Sequence, residues 1–109
     1  KGAIFDVAIT AGTMALKKTS ETIPFCHPIP IDGSSISIAP DESKRALIVR
    51  CSVKTTARTG VEMEAMTGAS ATGLTLYDMT KSLGLGIEIR SLRLISKTGG
   101  KSDFKSKND

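Results

Sequence analysis

Tryptophan is absent from this 109-residue chain, and aromatic residues reach only 4%, as Phe5, Phe25, Tyr77 and Phe104. Large rings ordinarily dominate small cores, so this core must rest on Ile, Leu, Val, Met and Ala. A small aliphatic core leaves stability marginal, and association of copies is one common remedy. Cysteine is scarce as well. Cys26 and Cys51 are too few for a disulfide framework and lack the paired spacing of a zinc site. A reducing compartment is therefore expected: the cytoplasm, or an organelle matrix in a eukaryote. No apolar run is long enough to span a bilayer and no signal peptide is visible, so no membrane partner is expected. Internal repeats and linkers are also missing.

What is present describes one ordinary globular domain over residues 1–109. Apolar residues at 39% and charged residues at 24% exclude a disordered chain. The net charge of +4 is mild, and Lys97, Lys101, Lys105 and Lys107 concentrate it near the end. Such a tail reads first as solvated surface, then as a site for a phosphorylated ligand or nucleic acid.

Residues 3–9 alternate, with Ala3, Phe5, Val7 and Ile9 on one side, which predicts a strand. From Ala11 to about Glu21 helix formers take over, and Ile23-Pro24 ends them. Three prolines within residues 24–30 force that segment to be extended. Ser35–Ala39 and Ala46–Lys54 alternate as a hairpin around Pro40-Asp41-Glu42-Ser43. A long helix is predicted from Glu62 to Leu83, closed by Gly84. It carries no charge between Ala65 and Tyr77, and Gly68, Ala69, Ser70, Ala71 and Gly73 allow another backbone to come close, so cover on more than one side is expected. Ile87–Ile95 alternates as a last strand, followed by a flexible basic exit. The order β-α-β-β-α-β predicts the α+β class, as a ferredoxin-like sandwich with an antiparallel sheet and two helices on one face.

Several residues are odd for a purely structural domain. The sole histidine, His27, lies in Pro24-Phe25-Cys26-His27-Pro28, where prolines fix the backbone and so the direction of the imidazole. Glu62 and Glu64 flank Met63 at the start of the long helix, a place where acids are favourable in any case. Asp78 and Lys81, three apart, share one face. On the surface they form a weak ion pair; partly buried, they become an acid and an amine tuned for proton transfer. Fourteen residues of straight helix separate Glu64 from Asp78 by about 21 Å, so either the ligand is long or the two ends belong to different subunits. Lys1, Lys17, Lys18 and Lys97 could collect phosphate, whereas Gly99-Gly100-Lys101 lacks the full spacing of a Walker loop.

Taken in order, several blocks form a recognisable set. They are Lys1-Gly2, Ala11-Gly12, Lys17-Lys18-Thr19, Ile23-Pro24-Phe25-Cys26-His27-Pro28, Thr59 to Thr67, Tyr77-Asp78-Met79-Thr80-Lys81 and Lys97 to Ser102. This set resembles the MoaC family of cyclic pyranopterin monophosphate synthases over nearly the whole chain. Ala3 and Ile9 depart from residues common in the family, and family members carry a further segment before Lys1-Gly2 that this chain lacks. The resemblance implies a ferredoxin-like subunit in a hexamer, a trimer of dimers, with active sites between subunits. It implies a phosphorus–oxygen lyase of molybdenum cofactor biosynthesis that converts 3′,8-cyclo-7,8-dihydroguanosine triphosphate to the cyclic phosphate with loss of pyrophosphate, and no cofactor or metal. The catalytic positions it implies are Asp78, Lys81, His27 and Lys1. The substrate-binding positions are Phe25, Cys26, His27, Glu62, Met63, Glu64 and Lys17.

Three other readings fit the residues less well. A nucleic-acid module would stack bases on strand aromatics, and Ala46–Lys54 has none. A silent oligomerisation domain would not need His27, Glu64, Asp78 and Lys81 in these settings. Metal binding at Cys26-His27 is disfavoured because neighbours in an extended chain point to opposite sides.

Overall fold

A computed structural model describes residues 3–100 and 102–107. The strand expected over residues 3–9 is instead the first half of a helix, α1 (Ile4–Leu16). This segment satisfies two periods at once, and tertiary packing selects the helical one. Ala8, Gly12 and Leu16, each four residues apart, form its buried stripe. Thr10 and Thr13 turn their hydroxyls onto the Asp6 and Ile9 carbonyls at 2.8 Å, so both fit within the helix. After Lys17 and Lys18 comes one further helical turn, α2 (Thr19–Thr22). Thr19 is buried there and donates to the Leu16 carbonyl at 2.9 Å. Ile23 leaves the helix in extended geometry, as a residue before proline must.

The expected hairpin forms as β1 (Gly33–Asp41) and β2 (Ala46–Lys54), antiparallel, with Gly33 opposite Lys54 and Asp41 opposite Ala46. Asp41 organises the turn by accepting from the Ser43 hydroxyl at 2.7 Å and the Lys44 N–H at 3.2 Å. Those two bonds, the Ser43 hydroxyl first, hold its carboxyl below the usual carboxylate range.

The long helix is α3 (Glu62–Thr80), tightened into a 3-10 turn over Lys81–Leu83 and ended by Gly84 at φ 67°, as the sequence predicts. Its buried stripe is Glu64, Gly68, Thr72 and Leu76, again four residues apart. The α1 and α3 stripes cross at glycines. A Cβ on Gly12 would strike Thr72 Oγ1 and lie 2.8 Å from the Gly68 carbonyl oxygen. One on Gly68 would lie 2.7 Å from Cys51 Sγ and 3.1 Å from Leu16 Cδ2. The helices therefore approach almost backbone to backbone, a closeness that only missing side chains allow. Ile36 of β1 reaches the Gly12 crossing and Cys51 of β2 reaches Gly68, and these two residues face each other in the hairpin register. Both helices thus cover one face of the hairpin. Burial there pushes the Cys51 thiol up from its usual pKa.

The last expected strand also differs. Residues 87–95 are not in a ladder; only Ser96–Lys97 (β3) is, pairing antiparallel with Phe104–Lys105 (β4). A strand exists through its neighbours, and residues 87–95 join no ladder among the described residues, although Ile95 accepts from the Ser106 N–H. The α+β class stands, with two separate two-stranded sheets, rather than one continuous sheet, among the described residues. The far side of α3, expected to be covered, shows Leu74 and Tyr77 to solvent. Among the described residues no helix is long and apolar enough to cross a membrane.

Candidate active site

The candidate residues gather at the two ends of α3. At its N-terminal end α2 and the Lys97–Gly100 turn come beside the helix, and the proline segment is tied to the end of the strand that leads toward it. The stripe that sets Gly12 and Leu16 against Thr72 and Gly68 runs antiparallel, and α2 accordingly packs on α3 near its start. The proline segment then passes from α2 into β1, tied down at both ends. The Cys26 N–H donates to the Ile23 carbonyl at 3.1 Å, the Thr55 hydroxyl to the Pro30 carbonyl at 2.7 Å, and the Asp32 N–H to the Lys54 carbonyl at 2.8 Å. Within this fixed segment Phe25 is 96% exposed, His27 is exposed and Cys26 is half-buried, so Cys26 and His27 face different surroundings. Lys17 is exposed at the α1–α2 turn.

Glu62, Met63 and Glu64 occupy the first turn of α3, where the helix dipole favours acids. Two residues apart, the acids have opposite fates. Glu64 is 4% exposed, at the end of the buried stripe. Glu62 is half-buried on the other side and accepts from Lys97 Nζ at 3.0 Å. Beyond Lys97, Gly99 and Gly100 both adopt positive φ, and the Gly99 N–H donates to Asp103 Oδ1 at 3.1 Å. A Cβ on Gly100 would lie 3.9 Å from the Gly60 nitrogen, so this turn runs beside the start of α3. The flexible exit expected here is a small hairpin that joins the site. Its Glu62 bond went unread because 35 residues separate the partners.

At the other end, Asp78 Oδ1 and Lys81 Nζ form an ion pair of 3.0 Å, as their spacing predicts. The partial burial expected of the pair is not found within one chain, since the Lys81 and Asp78 side chains are 61% and 70% exposed. α3 is unbroken between Glu62 and Thr80. Glu64 and Asp78 are therefore about 21 Å apart along it, and one chain does not bring the two ends together. Lys1, expected among the catalytic groups, lies outside the described residues. Among the described residues no three His, Cys, Asp or Glu side chains gather as a metal-binding group.

The Asp78–Lys81 pair and the proline segment thus lie on separate parts of the surface. Comparison with known proteins gives the family: the MoaC family model matches residues 1–100, and the chain belongs to that family. It is 52% identical over 104 residues to the cyclic pyranopterin monophosphate synthase of Xanthomonas oryzae pv. oryzae, covering 95% of this chain and 62% of that protein. It is 54% identical over 102 residues to molybdenum cofactor biosynthesis protein 1 of Dictyostelium discoideum, covering 94% of this chain and 16% of that protein. A third relative is the molybdenum cofactor biosynthesis bifunctional protein of Synechocystis, 49% identical over 106 residues and matched over 30% of its length. The chain thus spans less than two thirds of each of these relatives.

Proposed function

We propose that this chain is the MoaC domain of a cyclic pyranopterin monophosphate synthase, a lyase of molybdenum cofactor biosynthesis. Its substrate is 3′,8-cyclo-7,8-dihydroguanosine triphosphate, and its products are the cyclic pterin phosphate and pyrophosphate. The observation that carries this reading is the Lys97–Glu62 bond at the start of α3, with the proline segment fixed through Thr55 to the strand that leads toward that helix. The names of the relatives support it.

The geometry supports the following residue roles. Phe25, with nearly its whole ring exposed on a fixed backbone, offers a flat apolar surface to the pterin precursor. His27 beside it is placed for proton transfer. Lys17 and Lys97 supply cationic donors for the phosphates. Met63 and the acids Glu62 and Glu64 form the second binding segment, with Lys97 holding Glu62. A ribose hydroxyl attacks the nearest phosphorus, its proton passes to a base, and the phosphorus–oxygen bond to pyrophosphate breaks. Stabilising the charge on the leaving group is the largest electrostatic task. Asp78 and Lys81 form the acid–base pair, with His27 and Lys1 as further proton carriers.

An exposed carboxylate and amine make poor catalysts, because water levels their strength. Copies that bring Asp78 and Lys81 of one subunit against His27 and Glu64 of another would desolvate the pair and close the 21 Å gap. We therefore place the active site between subunits of a homo-oligomer, a hexamer built from dimers. The two helices over one face of the hairpin support a ferredoxin-like subunit whose first strand is not residues 3–9. Two free cysteines support a reducing compartment such as the cytoplasm. The test is turnover of the cyclic dihydroguanosine triphosphate by the full-length protein, following pyrophosphate and pterin product together. Both products in equal amounts are expected; pyrophosphate without pterin, or neither, overturns the assignment.

A further inference from the structure

Lys97 grips Glu62 at the start of α3, at 3.0 Å, yet its own backbone support is slight. It ends β3, whose two residues pair with Phe104 and Lys105. A ladder this short has little stability by itself. Other bonds fix it at both ends. At the open end the Ser106 N–H donates to the Ile95 carbonyl at 2.6 Å, and Arg93 Nη1 donates to the Ser106 hydroxyl at 2.7 Å. At the turn end Asp103 Oδ1 accepts from the Gly99 N–H at 3.1 Å. This second tie lies next to Lys97. Lys97 and Phe104 are the last pair before the turn, and Asp103 immediately precedes Phe104. The connection between them, residues 98–103, exceeds the roughly two to five residues usual in a hairpin. Gly99 and Gly100 stand in it at φ 75° and 69°, a conformation that glycine enters without steric cost and leaves as easily. A carboxylate across the base of the loop removes that freedom. The same turn runs beside α3, since a Cβ on Gly100 would lie 3.9 Å from the Gly60 nitrogen.

We propose that Asp103 is a positioning residue, closing the 98–103 loop so that Lys97 is set against Glu62 and toward the phosphates of the substrate. Its effect on substrate rests on the synthase reading; its effect on the loop rests on the Gly99 bond alone. Lys97 pairs with Glu62 rather than with Asp103, so the two carboxylates divide the work. One holds the ammonium, and the other holds the backbone that carries it. The partner of Asp103 is a neutral N–H, so the role calls for an acceptor oxygen and not for a charge. Asparagine offers the same oxygen at the same reach, whereas alanine offers none.

The test compares wild type, Asp103→Asn and Asp103→Ala in the full-length protein, each with and without Lys97→Met. In Asp103→Ala the KM for the cyclic dihydroguanosine triphosphate should rise roughly 10-fold, the worth of one misplaced charge-assisted contact. Its kcat should stay within about twofold, as for a loss of uniform binding. Asp103→Asn should remain within about twofold of wild type in both. On the Lys97→Met background Asp103→Ala should add almost nothing, because a residue acting through another falls silent once that other is gone. Exchange of the Gly99 amide should quicken roughly 5-fold or more in Asp103→Ala but not in Asp103→Asn. The nuclear Overhauser contact between the Lys97 and Glu62 side chains should weaken in the same variant. Asparagine as harmful as alanine, full additivity with Lys97→Met, a fall in kcat alone, or unchanged Gly99 exchange would each overturn the proposal. A wild-type protein without turnover overturns the synthase reading instead, and the Gly99 and Lys97–Glu62 readouts then decide the positioning by themselves.

Discussion

The two ends of α3 carry the same kinds of residue and treat them in opposite ways. At the N-terminal end the fold holds its polar groups: Glu64 is buried, Glu62 is gripped by Lys97, and the proline segment is tied to β2 through Thr55. At the C-terminal end Asp78 and Lys81 hold only each other among the described residues, mostly in solvent. Fixing a group within the fold defines where a ligand sits, whereas leaving a pair exposed postpones its desolvation until something else covers it. A helix of this length is suited to that division, because its rigidity keeps the ends apart.

The comparison is broken most sharply at the exposed end. Asp78→Ala should lower turnover by ~10²–10⁴, the usual worth of a positioned acid or base. Thermal unfolding should barely move, because an exposed pair contributes about 0–1 kcal/mol. A large loss of stability with modest loss of turnover would make the pair structural. Next in size is the middle of the helix. Gly68→Ala should destabilise by about 1–3 kcal/mol through overpacking against Cys51 and Leu16, partly offset by roughly 1 kcal/mol of gained helix propensity. Denaturant unfolding reads this, and no loss would mean that α1 and α3 are not in backbone contact.

Smaller effects sharpen the contrast. Lys97→Met should cost about 1 kcal/mol, its pair being only part-exposed, and should raise KM by withdrawing a cation and freeing Glu62. Lys81→Met should leave stability unchanged while lowering kcat. If the two variants behaved alike in both measurements, the distinction between a held end and an open end would fail. Thr55→Val removes two exposed hydrogen bonds, one to the Pro30 carbonyl and one from the Ala57 N–H, and should cost about 1–2 kcal/mol, with a rise in KM from a looser Phe25–His27 segment.

The sequence exposed much of this, and its failures have physical causes. The hairpin, the extent of α3 and its Gly84 stop were legible because turn residues and period agreed locally. The first strand was misread because Ile4–Ile9 fits both periods, and the deciding contact, Gly12 against Gly68, is 56 residues away in the chain. The strand pattern of 87–95 was legible, but pairing is a property of neighbours and no local signal supplies one. At the site, the Asp78–Lys81 pair followed from spacing alone, while the Glu62–Lys97 bond and the Gly99–Gly100 turn depend on long-range return of the chain. The separation of the two ends follows from helix rise alone.

The central claim is that these two ends act on one substrate across a subunit boundary. The most direct measurement mixes inactive Asp78→Ala protein with inactive His27→Ala protein, lets subunits exchange, and follows turnover. If one copy supplies His27 and another Asp78, mixed dimers contain one intact site, and recovery should approach about a quarter of wild-type activity. If turnover stays at the level of the separate variants after exchange is verified, both residues act within one chain, and the shared-site account is wrong.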